Sequence, residues 1–370
     1  MDRAKSAAVR PRNANPMARP GAGHTPALQA EAAAAGTGSA VMNLLAQLNA
    51  VLPAGLSIPS KADPRNPRRP MPTDLAERRE IVVKAKLVDY VYHRDPARLP
   101  TNWQTSDEIA STLSRMVNLP VVRDAQGGIL SASSLAANQG LPSVTVQNAH
   151  GTFSNPRSGL MGTTFVNHQD KVIELSLGGT TAGPNVGETA DDRLRDNKLN
   201  SFVQWGANIY GALGSIPQAH REANDLYLAA KSLTAQGQPL EGYTVRVSGH
   251  SLGGGMATYV SMTNGLKVDV FAAAALHEDV VNTKLPQSNV DNAERLVNIF
   301  YVAGDPVSEK LKNMPGMRAL GTEHVVQPDP AHGTSMRECH ESFAAHFESD
   351  LARFEAQHAR DAATLEKKNQ

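Results

Sequence analysis

Six consecutive residues, Gly249-His250-Ser251-Leu252-Gly253-Gly254, restrict what this chain can fold into more than any other part of it. The first five fit G-x-S-x-G, the pattern of a sharp strand-to-helix turn that presents a serine hydroxyl above a sheet. Glycines two before and two after the serine let the backbone turn without a Cβ clash. The pattern is short and built of common residues, so its flanks decide. Tyr243-Thr-Val-Arg-Val-Ser248 reads as a strand running into it, and residues 252–262 read as a small-residue helix running out. Strand, turn and helix is the setting such a serine needs. A phosphate-binding loop fits poorly, because the segment has neither its lysine nor the glycine spacing of a dinucleotide fingerprint.

The surrounding chain repeats this alternation. Residues 143–147, 159–167 and 171–177 read as strands, 200–213 and 218–233 as helices, 268–276 and 296–302 as strands, and 335–358 as a long final helix. Strands alternating with helices predict an α/β fold, a mostly parallel sheet covered by helices on both faces. This domain is expected over residues 141–360. Before it, Leu75–His93 and a helix capped by Ser106 (residues 106–117) predict an N-terminal helical cap or subdomain over 73–140. Residues 361–370 read as a polar C-terminal tail.

Residues 1–72 have a different character. Residues 1–39 mix Pro, Gly, Ala and Arg with almost no large apolar side chains, a composition that cannot offset the entropy of ordering. Val41, Leu44, Leu45, Leu48 and Leu52 fall at helical spacing and predict a short helix over 40–52. The Pro- and Arg-rich residues 53–73 read as a linker. The whole chain is formally neutral, which argues against bulk nucleic-acid binding. Residues 1–70, however, hold nine Lys/Arg against three Asp/Glu, so a basic tail precedes a mildly acidic body and is expected to have its own task. The single cysteine, Cys339, permits neither an intramolecular disulfide nor a cysteine-based zinc site. No apolar run reaches the length of a membrane span, and no secretory-type apolar region opens the chain.

An activated serine needs a base, a carboxylate to orient that base, and donors for the oxyanion. Asp305 follows the strand 296–302 directly and precedes Pro306, which places it at the carboxyl end of the sheet, where open α/β sheets bind ligands. Asp269, Asp279 and Asp291 are its rivals, and Asp269 opens a strand and so lies at the wrong end. For the base, both His332 and His340 precede or open the final helix. His340 is preferred, His346 lies too deep along the helix, and the choice between the first two stays open. One oxyanion donor is expected from the Leu252 N–H. The other is expected from the loop Leu177-Gly178-Gly179-Thr180-Thr181, whose glycines permit close approach of the backbone. The apolar residues 314–320 are a candidate acyl groove.

These residues resemble the class 3 lipases, the α/β-hydrolases that include fungal triacylglycerol lipases and plant plastid phospholipases A1. The resemblance covers residues 140–358 and rests on Gly249–Gly254, on Gly179-Thr180, on Gly304-Asp305-Pro306-Val307 and on a histidine opening the last helix. It implies Ser251 as nucleophile, Asp305 as orienter, His340 as base and Thr180 with Leu252 as oxyanion donors, with no metal and no organic cofactor. The implied substrate is a glycerolipid acyl ester. Gly178 stands where the family carries arginine, and residues 275–282 lack the family's Pro-Arg-x-Gly-Asn. The loop 181–198 is charged rather than apolar-faced, which favours a phospholipid or galactolipid over neutral fat and goes with peripheral contact at a membrane. The Arg/Ser/Ala/Pro-rich tail joined to such a domain resembles type III secreted effectors of plant-pathogenic bacteria. That likeness implies delivery into a host cell and a secretion chaperone for the tail. Two other uses of the same scaffold are a lipid-binding protein, for phosphoinositides among others, with weak or lost hydrolysis, and a soluble carboxylesterase or thioesterase.

Overall fold

The computed structural model describes residues 66–119, 149–155, 158, 160–179, 216–313 and 316–369. Within them the strands are β1 (Arg68–Arg69), β2 (Gln104–Thr105), β3 (Thr152–Asn155), β4 (Leu160–Asn167), β5 (Val172–Leu177), β6 (Thr244–His250), β7 (Val268–Phe271), β8 (Leu276–His277), β9 (Val297–Val302), β10 (Met317–Arg318) and β11 (Thr322–Val326). The helices are α1 (Leu75–His93), α2 (Asp107–Met116), α3 (Gln218–Leu233), α4 (Leu252–Asn264), α5 (Glu278–Thr283), α6 (Gln287–Asp291), α7 (Ala293–Leu296), α8 (Pro306–Glu309), α9 (Met336–Glu341) and α10 (Phe343–Asn369).

Side-chain alternation along the strands dictates the layers. On β9, Val297, Ile299 and Tyr301 join one buried cluster while Phe300 and Val302 join another. A strand buried on both faces belongs inside a sheet that helices cover on both sides. The first cluster lies under α2, α3 and α4, through Leu113, Leu226, Met256 and Val260. The second lies under α1 and α10, through Ile81, Val82, Ala85, Val88, Phe343 and Phe347. The main sheet runs β1-β11-β9-β7-β6-β5-β4-β2, with β3 also paired to β4. From β1 to β5 every pairing is parallel, and β4 with its neighbours β2 and β3 is antiparallel. This is the α/β-hydrolase arrangement, with the strand before Ser251 in the middle of the sheet. None of the described helices is long and apolar enough to cross a membrane.

Several expected elements sit where the sequence put them. The helix 218–233 and the helix 75–93 are observed with those bounds, and Ser106 caps α2 by accepting from the Ile109 N–H. Others need correction. The first helix does not form a separate cap or subdomain, because its apolar face packs on the same phenylalanines as α10. Residues 68 and 69, expected in a linker, pair with Glu323 and His324 as an edge strand. The strand expected over 268–276 stops at Phe271, where Ala272 takes a φ of 43° and the chain folds over the turn at Ser251. The single final helix is two helices, broken at Ser342, and its second part continues through the residues expected as a polar tail. The expected disordered tail, the helix 40–52, the strand 143–147, the loop 181–198 and the helix 200–213 lie outside the described residues.

Candidate active site

The turn at Ser251 is built by steric necessity. Ser251 has φ 59° and ψ −125°, a region that non-glycine residues rarely occupy and that costs about 1–3 kcal/mol. The fold holds it there with three hydrogen bonds. The Ser251 N–H donates to the Phe271 carbonyl at 3.0 Å, and the Ser251 carbonyl accepts from Ala274 at 2.9 Å and Gly255 at 3.2 Å. The flanking glycines leave room for nothing else. A Cβ at Gly249 would lie 2.2 Å from the Gly253 carbonyl oxygen, and one at Gly253 would lie 2.1 Å from the Leu177 oxygen. Ser251 thus sits at the carboxyl end of β6 and at the N-terminus of α4, where the Leu252 N–H is one of the four that a helix leaves unpaired.

Asp305 lies just past β9, fully buried. Its two oxygens have separate tasks. One accepts the Ser308 N–H at 2.7 Å and caps α8, and the other accepts from His340 Nδ1 at 2.6 Å. An ionised carboxylate only accepts, so His340 Nδ1 carries the proton and the neutral ring keeps its lone pair on Nε2. That is the tautomer a general base needs. The His340 ring lies 4.4 Å, centroid to centroid, from the ring of His250, the residue next to Ser251.

The other candidates are engaged elsewhere. His332 bonds to the Ser349 hydroxyl at 3.0 Å, and His346 Nδ1 accepts the Asp329 N–H at 2.9 Å. His324 bonds to the Pro70 carbonyl at 2.9 Å. Asp269, level with Ser248 in the sheet, is paired with Lys84 at 2.5 Å, and Asp279 lies 3.6 Å from His277. The structure therefore brings Asp305 together with His340 and not with His332.

Gly179 faces the turn closely. A Cβ there would lie 3.1 Å from Ser251 Cβ, 3.3 Å from its hydroxyl oxygen and 3.5 Å from the Leu252 nitrogen. The chain leaving β5 thus passes against the serine and the Leu252 N–H, as an oxyanion loop must. Thr180 itself lies outside the described residues. At Gly178, a Cβ would be 2.8 Å from the Met161 methyl and 2.9 Å from a Val91 methyl, so a longer side chain here would require these to shift. Of the expected acyl groove, residues 316–320 are described and include β10, which pairs with β8.

Two residues that no sequence motif singles out meet at this site. Tyr92, near the end of α1, accepts the Gly179 N–H at 2.8 Å. Its hydroxyl lies 2.8 Å from His250 Nδ1, and His250 Nε2 lies 3.0 Å from the His340 carbonyl oxygen. His250 had been visible only as the variable position before the serine, and nothing in the pattern of α1 marks Tyr92.

Comparison with known proteins bears on the same region. Residues 204–349 match the model of a family described as phospholipase-like, the Tle-like phospholipase domain, over less than half of the chain. A putative lipase ATG15 from the yeast Vanderwaltozyma polyspora is 32% identical over 135 residues, covering 31% of this chain and 24% of that protein. This chain therefore spans about a quarter of that relative's length. Among solved structures, the Lip2 lipase of Yarrowia lipolytica is similar at 14% identity and a TM-score of 0.37, covering 71% of this chain and 82% of that one. A triacylglycerol lipase of Penicillium expansum is similar at 15% identity and a TM-score of 0.34, covering 69% and 80%. The matched residues 204–349 include Ser251, Asp305 and His340.

Proposed function

We propose that this protein hydrolyses acyl esters of glycerolipids, phospholipids foremost, through Ser251, His340 and Asp305. The observation that carries the reading is the 2.6 Å bond from His340 to Asp305, with the His340 ring 4.4 Å from that of His250, the residue before a serine held at positive φ. In this scheme the Ser251 hydroxyl oxygen attacks the ester carbonyl carbon as His340 Nε2 takes its proton. Asp305 stabilises the imidazolium that results. The oxyanion is held by the Leu252 N–H and by Thr180. The carbon–oxygen bond to the glycerol breaks, with the proton returned from His340 to the leaving oxygen. Water, deprotonated by the same ring, then attacks the acyl-enzyme and releases the fatty acid.

The phospholipase-like match over 204–349 supports a phospholipid, as does the charged sequence of residues 181–198. The test uses phosphatidylcholine vesicles and p-nitrophenyl butyrate, with the wild type and Ser251→Ala. Wild type should release fatty acid from both and the variant from neither. Equal release by the two proteins would end the proposal. Turnover of the soluble ester alone would make the protein a carboxylesterase instead, and vesicle binding without turnover would make it a lipid-binding protein. We assign the basic residues before 66 to delivery as a secreted effector, a reading supported by their surplus of positive charge.

A further inference from the structure

We infer that Tyr92 and His250 form a positioning relay that locks the oxyanion loop, the nucleophile turn and the base helix into one geometry; this rests on the proposed hydrolysis at Ser251. The relay is a run of three hydrogen bonds whose ends fix its direction. At one end the Gly179 N–H can only donate, and it does so to the Tyr92 oxygen at 2.8 Å. At the other end the His340 carbonyl can only accept, so His250 Nε2 carries a hydrogen and donates at 3.0 Å. In the neutral ring His250 Nδ1 is then an acceptor, and the Tyr92 hydroxyl donates to it at 2.8 Å. With a neutral His250 ring the hydrogen bonds therefore run Gly179 to Tyr92 to His250 to His340, and the Tyr92 hydroxyl also lies 3.5 Å from the His250 carbonyl. Burial pushes the Tyr92 phenol well above its usual range, so the donor keeps its proton at any working pH.

Each contact touches a different part of the machinery. Gly179 precedes Thr180 and packs on Ser251, His250 immediately precedes Ser251, and His340 is the base. Packing holds the relay itself. His250 stacks on Phe343 at 4.2 Å and 8°, and Tyr92 meets His250 edge-on at 5.5 Å. The arrangement also has a selective consequence. The Gly179 N–H is already given to Tyr92, so it is not free for the oxyanion. The break in the last helix at Ser342 coincides with the His340 carbonyl turning to His250. Tyr92 lies outside the matched residues 204–349, so the N-terminal helix completes a site whose reactive groups lie elsewhere.

The test is Tyr92→Phe in the full chain, which keeps the ring and removes one hydroxyl. Removing a whole oxyanion donor costs about 100- to 1,000-fold in kcat, so a displaced one should cost about 10- to 100-fold. We expect that loss in kcat on p-nitrophenyl butyrate, normalised to active sites titrated with a fluorophosphonate, with KM within about twofold. Affinity for a boronic acid analogue of the tetrahedral intermediate should fall in parallel. The pair Tyr92→Phe and His250→Asn should lose no more than the worse of the two alone. A per-site kcat within twofold of wild type would overturn the relay, as would fully additive losses. Nitrogen NMR of the wild type adds a test independent of variant folding: His250 must be the Nε2–H tautomer, and an Nδ1–H tautomer refutes the scheme. Failure of hydrolysis at Ser251 looks different, since the wild type itself would then neither turn over p-nitrophenyl butyrate nor be labelled at Ser251.

Discussion

Replacing Glu174 with glutamine should make the protein more stable at pH 8 and leave it nearly unchanged at pH 4.5. Glu174 lies on β5 and is fully buried. Burial is the main cause that pushes its pKa from 4.5 up to about 7. Lys84, a hydrogen bond with Ser248 and Arg246 pull it back down, while Glu80 adds to the rise. The sign follows from proton counting. Between pH 4.5 and 7 the unfolded chain has released this proton and the folded protein still holds it, so stability falls as pH rises through that window and levels off above it. At about 1.4 kcal/mol per pH unit, the full cost above pH 7 is on the order of 3 kcal/mol. Glutamine keeps the shape and does not titrate. Urea denaturation of both proteins at pH 4.5, 6, 7 and 8, at constant ionic strength, should show the advantage of the variant growing by about 3 kcal/mol across the series. His220, pushed down to about 4 by burial, destabilises the fold as pH falls below 6.5, but it is present in both proteins and cancels in the difference. Parallel curves for the two proteins would refute the reasoning, since Glu174 would then titrate alike folded and unfolded. A glutamine variant that is the less stable at pH 8 would show that attraction to Lys84 outweighs burial.

Gly253→Ala should destabilise the domain by about 3 kcal/mol and abolish fluorophosphonate labelling of Ser251, because its Cβ meets main chain at 2.1 Å. Gly255→Ala, whose nearest contact would be 3.1 Å, should keep most labelling, and equal effects on labelling would contradict the steric account. Asp305→Asn should cut kcat by about 10,000-fold with little change in KM: the asparagine carbonyl can still cap Ser308, its amide then donates to His340 Nδ1, and the base holds the wrong tautomer. Removing residues 1–65 should leave turnover of soluble ester intact. Removing 1–70 should lower the melting temperature by several degrees, because it strips β1 from β11 and takes the Asn66 bond to Glu323 (2.6 Å) and the Arg68 bond to Tyr301 (2.6 Å). Thermal melts by circular dichroism distinguish the two truncations.

The parts of this fold that were legible in the sequence are those that solve their problem locally. The alternation of β9, the cap at Ser106 and the glycines around Ser251 each satisfy a constraint within a few residues. The strand β11 hid because its polar residues are buried by partners distant in sequence. Glu323 accepts from Asn66 and Tyr301 and pairs with Lys312, and His324 bonds to Pro70 and stacks on Phe300 at 4.9 Å. No periodicity in Thr-Glu-His-Val-Val reports such neighbours. The edge strand β1 hid for the same reason, since Arg68 and Arg69 between two prolines carry no apolar pattern and are held by main-chain pairing and by Tyr301 and Glu294. The site divides along the same line. Ser251 and Asp305 are placed by turns that their own segments encode. That His340 and not His332 bonds to Asp305 depends on how α9 packs, and the contact of Tyr92 with His250 depends on where α1 crosses the sheet. A residue whose role is to hold another chain segment in place leaves its mark on the partner, and for Tyr92 the partners Gly179 and His250 lie 87 and 158 residues away.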